Sequence, residues 1–363
     1  MKITKIARLL AGALALSTAL GAVPAKASEF INVLTGGTSG VYYPLGAALS
    51  KIYGEKIEGA RTQVQATKAS VENLNLLQQG KGEIGFALGD SVKLAWEGNA
   101  DAGFKAPLDK LRGIAAIYPN YIQIVASKES GIANLADMKG KSLSVGAAKS
   151  GTELNARAIF AAAGMSYEDL AKTEYLPFAE SVELMKNRQL DATLQSAGLG
   201  VSAIKDLATS VEIQMVAVPE DVVTKLGAPY VAATIPAGTY QGQDADVPTV
   251  AVVNFLVTHS DVSEETAYQM TKQLFENLPA MEAAHKAAAQ IKLENALTGM
   301  PVPLHPGAER YYKEKGMLCC PSRPGSGRAA LFPAPHSFPQ TCPVPSTRPR
   351  RVSCCMTRSS KTS

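Results

Sequence analysis

Two short segments combine glycine with serine or threonine where a predicted strand gives way to a predicted helix. The first is TGGTSG at residues 35–40, followed by two tyrosines and a proline at 42–44, and the second is SGT at 150–152. The first N–H groups of a helix have no partner inside it, and the helix dipole is positive there, so such turns attract anions. Glycine lets a ligand approach the backbone, and the hydroxyls add donors.

The paired turns therefore predict a site for a carboxylate. In this interpretation the tyrosines supply a wall and a phenolic donor, and the proline fits the first helical turn. The alternative is that both segments are ordinary capped turns between a strand and a helix.

Motifs for catalysis and metal binding are missing from the sequence. Residues 37–41 do not match the Gly-x-Ser-x-Gly elbow of hydrolases, and no Gly-x-x-x-x-Gly-Lys-Ser/Thr segment occurs. His259, His285 and His305 have no partner at the spacing of metal ligands. Without a nucleophile, a base or a metal site, the sequence predicts a protein that is not an enzyme and has no cofactor.

The N-terminal residues have the pattern of a secretory signal peptide. Three basic side chains at positions 2, 5 and 8 precede an apolar run at 9–23, and small residues stand at 25 and 27. We therefore expect residues 1–27 to be removed after Ala27 and the protein to be periplasmic. A membrane anchor is the alternative, although the apolar run is short for a span.

The C-terminal residues differ in composition from the rest of the chain. Residues 319–363 contain all five cysteines, eight prolines and no acidic residue. This composition predicts disorder, and we interpret the segment as a non-native extension from out-of-frame or read-through coding. A genuine flexible extension is the alternative. The segment and residues 1–27 together contain 11 of the 36 basic side chains, which leaves 25 against 32 acidic ones in between. That acidic balance gives no indication of nucleic-acid binding.

Between the two ends, strand and helix patterns alternate in two series. Strands are predicted at 30–35, 61–67, 83–88, 141–146, 174–178, 191–195 and 211–218. Helices are predicted after Pro44 and at 70–80, 90–98, 152–163, 180–188, 201–209, 263–278 and 307–316, with Asp90 as the N-cap of the third. Two long extended stretches, 113–127 with an interruption at Pro119 and 230–257, would connect two lobes. The pattern predicts an α/β fold with a mostly parallel sheet and a ligand cleft between lobes.

Five segments of this chain resemble the TAXI family, the solute receptors of TRAP (tripartite ATP-independent periplasmic) transporters. They are VLTGGTSGVYYPLGAALS, EIGFALGDSVKLAWEGN, IYPNYIQIVASK, DMKGKSLSVGAAKSGTELNARAIF and VPLHPGAERYYKEKGML, which together run from about residue 29 to 318. The resemblance implies a two-lobed, type II periplasmic-binding-protein-like fold that closes on a ligand. We place the first lobe at 28–123 and 233–318, and the second at 124–232.

The resemblance also implies a function and a set of site residues. The expected ligand is a small organic anion such as glutamate or 2-oxoglutarate, and the expected partners are the membrane permease subunits of a TRAP transporter. We expect a monomer and no nucleic-acid partner. The alternative is a surface antigen or adhesin with a vestigial cleft. From the resemblance to this family, the residues expected to bind the ligand are Thr38, Ser39, Tyr42, Asp90, Ser150, Gly151, Thr152, Asn155 and Gln195.

The chain departs from the family pattern at three places. Leu88-Gly89-Asp90 stands where relatives often have Gln-Ser-Asp, and Leu199-Gly200 stands where they often have Gly-Pro. AAKSGTE replaces the usual Pro-Gly-Ser-Gly-Thr-Glu, which adds Lys149 beside the second turn. Lys149 is either a partner for a second carboxylate of the ligand or a solvated loop lysine.

Overall fold

The computed structural model describes residues 29–318. The predicted signal peptide and the cysteine-containing C-terminal segment lie outside the described residues. The strands and the first nine helices of the described chain belong to one compact unit that ends at Tyr311, and the last helix runs across that limit.

The described residues form strands and helices that largely follow the predicted alternation. The strands are β1 Phe30–Leu34, β2 Arg61–Gln65, β3 Ile84–Leu88, β4 Leu111–Ser127, β5 Ser142–Ser144, β6 Lys172–Glu174, β7 Ala192–Ala197, β8 Ile213–Val216, β9 Val231–Ile235 and β10 Val247–His259. The helices are α1 Tyr42–Lys56, α2 Ser70–Gln78, α3 Gly89–Glu97, α4 Gly151–Ala162, α5 Phe178–Lys186, α6 Ser202–Ser210, α7 Glu220–Leu226, α8 Glu264–Glu276, α9 Leu278–Ala284 and α10 Pro306–Glu314.

The strands form one sheet in the order β2-β1-β3-β10-β4-β7-β5-β6, with β8 paired to β4 and β9 paired to β10. The pairs on either side of the centre are parallel: β1 with β2 and β3, and β5 with β6 and β7. The long strands β4 and β10 are antiparallel to each other and to their outer neighbours β7 and β3. The predicted α/β class is confirmed. The prediction of a mostly parallel sheet is wrong, because five of the nine strand pairs in the described sheet are antiparallel, all of them involving β4 or β10.

The central strand β4 is continuous over 17 residues, so the predicted interruption at Pro119 is wrong. Pro119 lies opposite Val253, and the register of the two strands shifts between Val253 and Phe255. Proline cannot donate to a neighbouring strand, and an irregularity of the ladder is a place where that missing donor is tolerated.

The buried apolar side chains form two clusters that divide the long strands between them. One cluster includes Leu34, Leu74 and Leu111, from the first half of the sheet and the beginning of β4. The other includes Ile124 and Leu194, from the end of β4 and the second half of the sheet. This division is what two lobes require, while the lobe boundaries themselves stay a prediction.

Two predicted boundaries are wrong in ways that affect the site. The strand predicted at 174–178 ends at Glu174, and α5 begins at Phe178, just after Pro177. The strand predicted at 191–195 continues to Ala197, because Ser196 and Ala197 still pair with β4. Gln195 therefore lies inside a strand and not at its end.

Candidate functional site

A cavity of about 120 Å³ lies where several strand-to-helix turns meet. Residues at the beginnings of four helices line it: Gly40, Val41 and Tyr42 of α1; Ala69 and Ser70 of α2; Ser150, Gly151 and Thr152 of α4; and Pro177 and Phe178 of α5. Ligands of open α/β sheets commonly bind at such turns, beyond the carboxyl ends of the strands.

The beginning of α4 exposes backbone donors to this cavity. The Ser150 side chain caps the helix, because its hydroxyl oxygen accepts a hydrogen bond from the Glu153 N–H at 3.1 Å. The N–H groups of Gly151 and Thr152 come before the first intrahelical donor, so they have no partner within α4. Both residues line the cavity.

The beginning of α2 faces the beginning of α4. A Cβ atom on Gly151 would lie 2.7 Å from Ser70 Oγ and 2.6 Å from a methyl carbon of Leu88. The Ser70 hydroxyl is held in place because it accepts a hydrogen bond from the Leu88 N–H at 3.1 Å. The beginning of α2 was not predicted as part of the site, since the turn before it contains no glycine.

Tyr42 contributes its ring to the cavity and its hydroxyl to another partner. The ring stacks on Phe86 with 5.0 Å between ring centroids, and the hydroxyl donates to Asn254 Oδ1. Burial raises the pKa of the Tyr42 hydroxyl far above its usual range, so this donor stays protonated. The predicted phenolic donor to the ligand is thus already engaged within the protein.

Strands β4 and β7 add two unpartnered hydroxyl groups to the cavity lining. The side chain of Tyr118 is 0% exposed and that of Ser196 is 5% exposed. Neither Tyr118 Oη nor Ser196 Oγ has a hydrogen-bond partner among the described residues. Buried hydroxyls are normally satisfied, and leaving one without a partner costs free energy. These two hydroxyls, on residues that line the cavity, therefore lack the partner that a buried hydroxyl normally has.

Asp90 and Asn155 bind each other and do not line the cavity. Asp90 Oδ2 accepts hydrogen bonds from Asn155 Nδ2 at 2.6 Å and from the Tyr230 hydroxyl at 2.7 Å. Asp90 Oδ1 accepts from the Ser91 N–H at 2.7 Å. The N-cap of α3 is Leu88, so the prediction that Asp90 caps this helix is wrong. Burial raises the pKa of the Asp90 carboxyl, against the lowering effect of these hydrogen bonds.

Three other residues singled out from the sequence also lie outside the lining. Thr38 is exposed in the first turn. Gln195 is fully buried within β7, and neither amide atom has a partner in the described part of the chain. Lys149 is exposed and has a φ of 63°. The lysine that does line the cavity is Lys68, in the turn before α2.

Within residues 29–318, no group of three or more His, Cys, Asp or Glu side chains could hold a metal ion. Two of the three histidines accept hydrogen bonds from nearby backbone N–H groups, His285 from Ala287 and His305 from Gly307. Over the same range, no helix combines the length and the apolar character that a membrane span needs.

Three of the solved structures with a similar arrangement have low sequence identity to this chain. One, described as a periplasmic transporter, is 11% identical over 80% of this chain and 93% of its own, with a TM-score of 0.51. The periplasmic binding protein BugD is 13% identical over 79% and 93%, with a TM-score of 0.50. The alkanesulfonate-binding protein SsuA from Xanthomonas axonopodis pv. citri is 16% identical over 80% and 85%, with a TM-score of 0.44.

The similarity to the first two of these structures shows the class of fold, which is that of the periplasmic binding protein BugD. The sequence itself matches the NMT1-like family over residues 33–316. The chain belongs to the NMT1-like family.

Proposed function

We propose that this protein is an extracytoplasmic solute-binding receptor that captures a small organic anion and delivers it to a membrane permease. The observation that carries the proposal is a cavity at which four helices begin and which is lined by Tyr118 and Ser196, whose buried hydroxyls have no partner among the described residues. Helix beginnings favour negative charge, and the unpartnered hydroxyls need a polar group to bind. The protein is exported, with cleavage after Ala27, and acts as a monomer without catalysis.

The finer proposal is that the ligand is a carboxylate and that the permease is of the TRAP type. It is supported by the segments that resemble the TAXI receptors, of which TGGTSGVYYP contains Gly40 and Tyr42 of the cavity lining. A permease driven by ATP hydrolysis is the competing partner for a receptor of this fold. Uptake by the reconstituted receptor and permease distinguishes them: a TRAP partner works without ATP and stops when the ion gradient is collapsed.

Replacement of Tyr118 by phenylalanine tests the cavity. A hydrogen bond to a charged group contributes about 1.5–3 kcal/mol, so the variant should bind carboxylates at least ~10-fold more weakly in calorimetry. Its stability without ligand should not fall, because the lost hydroxyl has no hydrogen-bond partner among residues 29–318. Tyr175→Phe, which removes the hydroxyl of an exposed tyrosine, is the matched control.

Wild-type protein provides the reference in the same experiment. A carboxylate at 100 times its dissociation constant should raise the free energy of unfolding by about 2.7 kcal/mol. If no carboxylate stabilises the wild-type protein, the receptor function is wrong and a surface antigen with a vestigial cleft becomes the better interpretation. If Tyr118→Phe binds as tightly as wild type, the ligand lies elsewhere.

A further inference from the structure

We propose that the cavity selects a dianion that has no ammonium group, and that Lys68 pairs with the second acidic group of this ligand. The inference rests on the proposed function, because it concerns the same cavity. It goes further by excluding amino acids, glutamate included, from the preferred ligands.

The first observation is the charge of the lining. Lys68 is the one residue with a charged side chain among those that line the cavity in the described part of the protein, and none of them is aspartate or glutamate. The helix beginnings alone already stabilise a ligand with one negative charge. A lysine placed beside them adds attraction for a second negative charge.

The second observation is that the backbone around Lys68 is fixed while its ammonium group is free. The Lys68 N–H donates to Glu72 Oε2 at 2.6 Å, and the Ala69 N–H donates to Thr67 Oγ1 at 2.9 Å. Thr67 Oγ1 in turn lies 2.9 Å from the Thr35 carbonyl oxygen, to which it donates. The Lys68 ammonium group makes no hydrogen bond or ion pair with a described residue.

The third observation is that two acidic side chains close in sequence to lining residues, Asp90 and Glu153, are already engaged. The buried Asp90 carboxylate accepts from Asn155, Tyr230 and Ser91, and it does not line the cavity. The Glu153 carboxylate binds Arg157 Nη2 through both oxygens, at 2.8 Å each. Because no described lining residue is aspartate or glutamate, an ammonium group in the cavity would lose water without gaining a carboxylate partner from the lining, which is unfavourable.

The contrast with Lys149 makes the proposal specific. Lys149 belongs to the other turn of the site and was the lysine that the sequence suggested for a second carboxylate. Both lysines are exposed, but Lys149 does not line the cavity and Lys68 does. The two lysines thus form a matched pair, one inside the lining and one outside it.

The experiment is titration calorimetry with probes that differ by one group. The probes are succinate, glutarate and 2-oxoglutarate as dianions, aspartate and glutamate as their counterparts with an ammonium group, and 2-oxopentanoate as the counterpart with one carboxylate. We expect wild-type protein to bind its best dianion at least ~10-fold more tightly than either counterpart. Lys68→Met should lose ~10-fold or more for that dianion and change affinity for 2-oxopentanoate less than about twofold.

Lys68→Arg should retain most of the affinity for the dianion, because it keeps the charge, and Lys149→Met should behave as wild type. Tighter binding of glutamate or aspartate than of the dianions overturns the inference and leaves the receptor function intact. The inference is also overturned, with the receptor function left intact, if Lys68→Met weakens the binding of all probes equally. It is likewise overturned if Lys149→Met, and not Lys68→Met, weakens the binding of the dianion. If no probe binds to the wild-type protein, both the inference and the proposed carboxylate ligand are wrong.

Discussion

Ala69 has a φ of 72° and a ψ of −142°, a backbone conformation that alanine rarely adopts. It stands between Lys68 and the first residue of α2, where it lines the cavity. Such a conformation costs about 1–3 kcal/mol for a residue with a side chain, and it persists only where the surroundings enforce it. Here the hydrogen bond from the Ala69 N–H to Thr67 Oγ1 is one of those constraints.

Ala69→Gly should therefore stabilise the protein. Relief of the strain outweighs the greater freedom of glycine in the unfolded chain, and we expect the free energy of unfolding to rise by about 1 kcal/mol in chemical denaturation. Ala47→Gly is the control, because Ala47 is an exposed residue inside α1, where glycine costs about 0.5–1 kcal/mol. Destabilisation by both substitutions to a similar extent would contradict the strain at Ala69.

At the scale of single residues, the sequence predicted the parts of the site that depend on local chemistry. Ser39, Tyr42 and the residues at 150–152 line the cavity, because glycine and hydroxyl residues before a helix mark a turn wherever it folds. Tyr118, Ser196 and Lys68 were missed. Tyr118 and Ser196 lie in strand patterns that look the same whether a cavity is present or not, and Lys68 precedes an ordinary helix beginning.

At the scale of elements, the important contact is between the beginnings of α2 and α4. Gly151 packs so closely on Ser70 and Leu88 that an added methyl group would force one of these side chains or the helices to shift. Ser70 and Leu88 belong to the predicted first lobe, and Gly151 belongs to the predicted second lobe. Gly151 is therefore needed because it has no side chain and so lets the two helices meet. Its freedom of backbone conformation is a separate reason for a glycine in this turn.

Gly151→Ala should weaken ligand binding by holding the two helix beginnings apart. We expect a loss of at least ~10-fold in affinity by calorimetry, with a change below about 1 kcal/mol in the stability of the ligand-free protein. Gly54→Ala, within α1 and outside the cavity lining, is the control. A destabilisation of about 1–3 kcal/mol by Gly151→Ala would instead mean that the two helices cannot separate.

The elements themselves were largely predictable, and the errors have physical causes. Periodicity identified the helices because their buried faces recur every third or fourth residue. It placed a break at Pro119 because a proline inside a strand usually marks an edge. The shift in register opposite Pro119 depends on β10, more than 100 residues away in the chain, so no local pattern indicates it.

At the scale of the whole molecule, the network around Asp90 links the halves of the described chain. Asn155 and Tyr230, both from the predicted second lobe, donate to a carboxylate that α3 of the predicted first lobe supplies. Burial raises the pKa of this carboxyl in the folded protein above that of an unfolded chain, which is about 3.9. Stability must then depend on the ionisation of Asp90.

A carboxyl with a raised pKa contributes most to stability when it is neutral. That contribution is complete below the unfolded pKa and is lost as the pH rises through the higher folded pKa. The free energy of unfolding of wild type, measured relative to Asp90→Asn, should therefore fall as the pH rises from about 4 to neutrality. Urea denaturation at several pH values measures this difference. Glu282→Gln, at an exposed position, is the control, and a constant difference for Asp90→Asn would contradict the expected linkage.

Strands β4 and β10 are the two long connections between the clusters, and they are hydrogen-bonded to each other along much of their length. Because of these hydrogen bonds, a bend or twist in one strand must be accompanied by a matching change in the other. For the receptor proposed above, a change in the angle between the two halves would have to involve both strands together.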